Sequence, residues 1–373
     1  MSAPKTITYS GELLVKMKES GVASEELLSA LRTKAEERLA MPLIAVTLQK
    51  LTANKESLHD YASTGIYWWP NPDTPNGLPY VQRDGIRNPE TIEMMTHGTV
   101  ASAVHDLSLA AFYFDEPKYA KKAEKMLYDW FINEETYMRP HARFAQGIPG
   151  IVDGRPVGLI DFTGSPDIFD AVCLLEYLGW IDEKVAAGVR DWYVKFTDWM
   201  ITSEMGIHED CYSNNHSTWY DVQILGAAIF TDRPALVKRV CSTAYQRRLV
   251  QQICEDGSQP HELARTKALN YSLYNFRAFT LIINMATNNG YTEYVSEDKI
   301  RGKVIIKTAL EFLYKHAKDI DNLPYKEIAP HTVPKSLNRM LLWADARFPG
   351  EKFAEMAAEF ESENSIWKLR PLI

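Results

Sequence analysis

The sequence predicts an all-α protein, and three observations carry that prediction. From about residue 100 onward, apolar residues recur at three- and four-residue steps, the period of helices that bury one face. Clusters of Pro, Gly, Asn and Asp interrupt these runs where helices would turn back. Segments of alternating polarity are too few to build a sheet.

Helical periodicity falls at 104–114, 117–131, 166–180, 218–230, 234–253, 271–287 and 303–318, and a further helix places Val185, Val189, Trp192, Phe196 and Trp199 on one face. The connections are Asp115-Glu116-Pro117, Gly164-Ser165-Pro166-Asp167, Thr231-Asp232-Arg233-Pro234, Asn288-Asn289-Gly290 and Phe348-Pro349-Gly350. Helices joined by such short turns bury their faces on each other as a bundle, an open solenoid or a closed toroid of hairpins. Internal self-similarity is weak, which disfavours a regular solenoid.

Two stretches break the pattern, residues 61–90 and 136–165. Long loops within a helical protein are commonly lids or binding loops. The first holds Trp68, Trp69, Arg83 and Asp84: flat aromatic faces that stack on sugar rings, beside groups that hydrogen-bond hydroxyls and carboxylates. That mixture suits a carbohydrate. The competing reading has the tryptophans plugging the core and Arg83 pairing with Asp84. In the second loop Arg139, His141, Arg143 and Gln146 either line a cleft and attract a polyanion or belong to a solvated surface.

Composition narrows the partners. With 373 residues, 46% of them hydrophobic, the chain can bury a substantial core, and a formal charge of −8 argues against nucleic acid. No apolar run is long enough to cross a bilayer, and the first residues hold no apolar leader segment, so the chain is either cytosolic or a mature form with its leader removed. Cys173, Cys211, Cys241 and Cys254 have no metal-ligand spacing; they read as small apolar residues, with one or two disulfides open to an exported protein. His97 and His105 stand two helical turns apart but have no third ligand, and His261-Glu262 has no second histidine of a zinc-protease motif.

The segment Tyr212-Ser-Asn-Asn-His-Ser-Thr-Trp-Tyr220 opens the 218–230 helix, where Asn214, Asn215 and Ser217 are capping types. About fifty residues on comes Asp256-Gly-Ser-Gln-Pro-His-Glu-Leu-Ala-Arg265, followed by Tyr271, Tyr274 and Asn275 on neighbouring helical faces. A histidine, an amide, a guanidinium and a phenol suit β-elimination from a uronate polymer. The proton on carbon 5 becomes acidic only when the adjacent carboxylate is neutralised, a task for Asn215, His216 and Arg265. Tyr271 then takes that proton and returns one to the leaving oxygen. Mannuronate and glucuronate carry proton and leaving oxygen on one side, so one tyrosine serves both steps. In guluronate they lie on opposite faces, which calls for His216 as base and Tyr271 as acid. No metal or cofactor is needed.

The runs Asn-Asn-His-Ser (214–217), Asp-Gly-Ser-x-Pro-x-Glu-Leu-Ala-Arg-Thr (256–266), Tyr-x-x-Tyr-Asn-Phe (271–276), Trp-Trp-Pro-Asn-Pro (68–72) and Arg-Asp-Gly-x-x-Asn-Pro-Glu (83–90) resemble the alginate lyase superfamily of polysaccharide lyases. The six-residue step from Arg265 to Tyr271 is most similar to polysaccharide lyase family 38, which acts on alginate or glucuronan; family 5 spaces them one residue further apart, which keeps Tyr274 as a rival phenol. The resemblance implies an (α/α) toroid, an incomplete barrel of antiparallel helical hairpins with a central cleft. Residues 1–373 then form one catalytic domain with loop 61–90 as its lid. It implies Asn215, His216, Arg265 and Tyr271 as catalytic residues, with Trp68, Trp69, Arg83, Asp84, Arg143, Gln146, Asn214 and Tyr274 as substrate-binding candidates. It also implies an anionic uronate polysaccharide as partner, a monomer without nucleic acid or membrane, and a secreted or periplasmic location. Glu262 is expected to orient Arg265 or His216. Two rivals stand beside this reading: a glycoside hydrolase on a helical toroid, using two carboxylates such as Asp84 with Asp161 or Glu262, and a non-catalytic uronate-binding protein.

Overall fold

A computed structural model describes residues 3–49, 55–92, 96–292, 294, 300–360 and 365–371. The fold class is all-α, as the periodicity predicts, with strand confined to two small two-stranded pairings among the described residues. The chain clusters into two compact units, Met1–Asp210 with Gly226–Arg233, and Cys211–Leu225 with Pro234–Ile373.

The first unit begins with two helices that the sequence pattern does not reveal, α1 (Gly11–Ser20) and α2 (Glu25–Leu39). Each has a serine N-cap: Ser10 accepts from the Leu13 amide and Ser24 from that of Leu27. Their apolar stripe is narrow, Leu14 in α1 and Leu27, Leu31 and Ala35 in α2, so periodicity alone is faint. After the short helix α3 (Pro89–Ile92) comes α4 (Thr96–Phe114), apolar on nearly every side and packed against α2, α5 (Pro117–Phe131) and α6 (Ser165–Leu178). Asp115, at φ +53°, makes the tight turn from α4 to α5, and Pro117 starts α5 where its missing N–H costs nothing. Next come α7 (Glu183–Thr202) and α8 (Glu204–Asp210). Trp192, Tyr193 and Phe196 of α7 pack with Phe131, Phe162 and Phe169 in an aromatic core.

Both buried α4 histidines serve that core. His97 meets the Tyr193 hydroxyl at 3.3 Å, and burial pushes its imidazole down to about 3, so it is neutral; His105 meets the Tyr9 hydroxyl at 3.3 Å. The N-terminal segment is pinned by the buried Asp170 of α6, which accepts from the Ile7 amide at 2.5 Å, the Thr8 amide at 3.2 Å and the Thr8 hydroxyl. Residues 61–90 and 136–165 do break the helical pattern. There β1 (Ala62–Thr64) pairs in parallel with β4 (Phe144–Gly147), and β2 (Trp68–Trp69) pairs antiparallel with β3 (Val81–Gln82).

In the second unit, helix α9 (Asn215–Phe230) starts three residues before its expected position. The expected 234–253 helix is α10 (Pro234–Ala244) followed by a π-helical turn, Tyr245–Val250. That turn carries Arg248, buried and paired with Asp221 through Nε–Oδ2 at 2.8 Å and Nη2–Oδ1 at 3.2 Å. The short α11 (Pro260–Leu263) and α14 (Val333–Arg347) pack on the long α12 (Ala268–Asn288), while α13 (Ile300–Lys318) and α15 (Phe353–Ala358) pack on α14. Among the described residues no helix is long and apolar enough to cross a membrane.

Candidate functional site

The cluster forms where the first turn of α9 meets α11. Asn214 caps α9: its side-chain oxygen accepts from the His216 amide at 3.3 Å, and its backbone oxygen accepts from the Ser217 amide and hydroxyl, both at 3.1 Å. The first amide of the helix, that of the buried Asn215, donates to Glu262 Oε1 at 2.6 Å. Asn215 Nδ2 donates to the same carboxylate, at 3.0 Å to Oε1 and 2.8 Å to Oε2. An anion at a helix N-terminus satisfies orphan donors and faces the positive end of the helix dipole. Burial nonetheless holds the Glu262 carboxyl above the usual carboxylate range, against the bonds from Asn215 and the charges of His216 and Arg265. Glu262 therefore holds Asn215, a partner that sequence spacing did not indicate.

Three residues past Glu262, Arg265 donates from Nη2 to the Tyr271 hydroxyl at 3.0 Å, with its guanidinium 4.0 Å from the centre of the same ring. The turn that allows this is braced from outside. Thr266 and Ala268 exchange backbone hydrogen bonds with Ile328 and Lys326, both at 3.1 Å. Glu327 accepts from the Asn270 amide and side chain, each at 3.1 Å, fixing the start of α12 one residue before Tyr271. Glu327 and Asn270 carry no recognisable motif. Tyr274 lies one helical turn beyond Tyr271 and rests on Trp219, ring centres 4.9 Å apart. The His216 ring lies 5.6 Å from that of Tyr212.

Behind the cluster runs a buried polar network. Gln252 Oε1 accepts from Thr218 at 3.0 Å and from Asn275 Nδ2 at 2.9 Å, and Gln252 Nε2 donates to Ser217 at 3.2 Å. Asn275 Nδ2 also donates to Gln259 at 2.9 Å. Asn275 is thus wholly buried and ties α12 to the turn before α11. The Gly257 of that turn has φ +86°, and a Cβ there would stand 2.2 Å from the Thr308 carbonyl oxygen, which explains glycine at this point of the motif.

The remaining candidates belong to the first unit. Trp68 and Trp69 are half-buried; Arg155 lies over the Trp68 ring at 5.7 Å and Arg83 over Trp69 at 5.1 Å, while the Trp69 indole N–H donates to the Ile86 carbonyl. Arg83 is exposed and Asp84 half-buried. Arg143 pairs with Glu56 at 3.0 Å on the surface, and Arg139 and His141 both reach the buried Asp60. Burial lowers the His141 imidazole, opposed by Asp60. Gln146 is buried, at φ +48°, and its amide donates to Asp161 at 2.7 Å. Asp161 also accepts from Tyr61 at 2.9 Å and Ser63 at 2.5 Å, and burial raises its carboxyl. Ser63, Thr64, Leu78, Ile148, Pro149 and Asp153 help line a cavity of about 390 Å³ beside these loops. Among the described residues no three metal-ligating side chains gather.

In this helical protein an amide, an imidazole and a guanidinium gather around one buried carboxyl, and the guanidinium in turn donates to a phenol, a set of groups of the kind that enzymes use on a carboxylate-bearing substrate. A sequence profile described as alginate lyase matches residues 46–322, and the chain belongs to the alginate lyase family, a family of polysaccharide lyases. It is similar to a crystal structure of an alginate lyase from Bacteroides ovatus, with a TM-score of 0.92 and 33% sequence identity over 99% of both chains. The (α/α)-toroid class of those lyases is therefore its fold class. It is also similar in fold to alginate lyase A1-III, solved as a histidine-to-alanine variant complexed with tetrasaccharide, with a TM-score of 0.61 at 17% identity over 95% of this chain and 91% of that one. No curated protein sequence matches it.

Proposed function

We propose that the protein cuts 1,4-linked uronate polysaccharides, alginate foremost, by metal-independent β-elimination. Each cut leaves an unsaturated uronate at the new non-reducing end. The observation that carries this reading is the direct hydrogen bond from Arg265 to the Tyr271 hydroxyl, 3.0 Å long, three residues past Glu262, which accepts from Asn215 of α9. A guanidinium donating to a phenolic oxygen stabilises the negative charge that the oxygen carries as a base. The same cation, with Asn215 and His216, disperses the charge that develops on the uronate carboxylate as carbon 5 loses its proton.

Tyr271 acts as base and then acid on mannuronate and on glucuronate, whose proton and leaving oxygen share a face; His216 is the base for guluronate, with Tyr271 as acid. Trp68, Trp69, Arg83, Asp84, Arg143, Gln146, Asn214 and Tyr274 are the substrate-binding candidates. Support for an oligosaccharide substrate comes from the A1-III variant complexed with tetrasaccharide. Because such polymers lie outside cells, the protein works as a secreted or periplasmic monomer.

Elimination creates a conjugated double bond that absorbs in the ultraviolet, whereas hydrolysis does not. Absorbance is therefore followed on mixing with polymannuronate, polyguluronate and glucuronan. A rise with at least one polymer is expected; cleavage without a rise would transfer the protein to the hydrolases.

A further inference from the structure

The Asn215 amide has one donor end and one acceptor end, and the donor end is already taken. Nδ2 faces both oxygens of Glu262, at 3.0 and 2.8 Å, and Oδ1 receives no hydrogen bond from any described residue. In that state the side chain offers an oncoming carboxylate an oxygen, which repels it. An ionised glutamate enforces this arrangement, since it can only accept. A protonated one reverses it: the acid O–H donates to Asn215 Oδ1, the near-isosteric amide turns by half a revolution, and its NH2 faces outward. The second oxygen of Glu262 still accepts the Asn215 backbone N–H, which lies 2.6 Å away.

We propose that Glu262 is a positioning residue that acts as a neutral acid, binding one proton from solvent as the uronate arrives and so turning the Asn215 amide to donate to the substrate carboxylate. This rests on the lyase reading above and adds to it the residue that sets the donor. The charged groups facing Glu262 fit such a change. From α9 there is His216; from its own segment Arg265; from α12 Tyr271, through Arg265. Arg265 and His216 favour the ionised form while they serve Glu262 alone. An incoming uronate claims both and adds a second anion beside the first, so neutral Glu262 becomes the favoured form. Burial already biases the carboxyl in that direction.

The test uses Glu262→Gln, whose amide makes the acid's two contacts at every pH, and Glu262→Ala, which makes neither. On polymannuronate, Glu262→Ala should lose about 30-fold or more in kcat/KM, while Glu262→Gln stays within about threefold of the wild-type maximum and loses the alkaline fall that ionised Glu262 causes. A Gln variant as impaired as the Ala variant, or one with the wild-type alkaline limb, overturns the proposal. A second measurement needs no turnover: calorimetry of mannuronate tetrasaccharide binding to Tyr271→Phe, in two buffers of different ionisation enthalpy. Proton uptake is expected on binding, and its loss in Tyr271→Phe/Glu262→Gln; equal uptake in both overturns the proposal. Should the wild type release no unsaturated product from any polyuronate, the lyase reading fails, while the proton count still decides the role of Glu262. Absence of tetrasaccharide binding overturns both.

Discussion

Replacing Arg265 with lysine keeps the charge but removes the fork. The guanidinium donates to the Tyr271 hydroxyl at 3.0 Å and stands 4.0 Å from the centre of the same ring, and its planar fork can serve a phenol and a carboxylate through different N–H groups. A lysine ammonium, a compact point charge, can serve the phenol or the carboxylate but not both. A hydrogen bond from a charged group contributes ~1.5–3 kcal/mol, and one transition-state donor contributes ~2.7–4 kcal/mol. Because the charge is retained, the loss should be ~2–3 kcal/mol, a fall of ~30- to 150-fold in kcat/KM, carried mainly by kcat. The assay is the ultraviolet rate on polymannuronate at several substrate concentrations, with thermal unfolding as control. Arg265 is only half-buried, so stability should change by less than ~1 kcal/mol. Full activity in Arg265→Lys, or a loss entirely in KM, would refute the idea that this one side chain supports both base and carboxylate.

Tyr271→Phe should abolish turnover while leaving oligosaccharide binding intact, and Tyr274→Phe should keep turnover within about threefold, because the Tyr274 ring rests on Trp219; the reverse ranking would make Tyr274 the base. Gly257→Ala forces a side chain to φ +86° and 2.2 Å from the Thr308 carbonyl, so denaturant unfolding should show ~1–3 kcal/mol or more of lost stability. Burial pushes the Asp170 carboxyl up to about 7 from an ordinary value of 3.8. A raised folded-state value means that its contribution to stability is full below about pH 4 and is lost as pH rises through about 7. Asp170→Asn should flatten this part of the melting-temperature profile; an unchanged slope would assign the dependence to other groups.

Much of the helical pattern is legible in the sequence because α5, α7 and α12 bury long faces between well-marked turns. The N-terminal pair α1 and α2 is not, since its stripe is only one or two residues wide and its best signals are the capping serines. The C-terminal α14 is likewise passed over, although Leu337, Met340, Leu341 and Trp343 keep helical spacing. At the candidate site the residue types and their order along the chain point to the chemistry, and the Arg265–Tyr271 contact follows from a six-residue step across a turn. The partner of Glu262 does not follow from spacing. It lies 47 residues away, and only the tertiary packing of α11 on the start of α9 decides between His216, Arg265 and Asn215. Gln146 and Asn275 show the complementary limit: polar residues in motif-rich segments serve a buried network as readily as a ligand, and no local pattern separates the two.

The most direct test takes purified wild type and Tyr271→Phe with polymannuronate and weighs the oligosaccharides released. Elimination makes every wild-type product with a new non-reducing end one water lighter than a hydrolytic fragment of the same length, only the fragment from the polymer's original end keeping full mass, and the phenylalanine variant releases none. A digest in which no fragment is lighter than its hydrolytic counterpart, or light products persisting in Tyr271→Phe, would contradict a phenol that draws the proton from carbon 5.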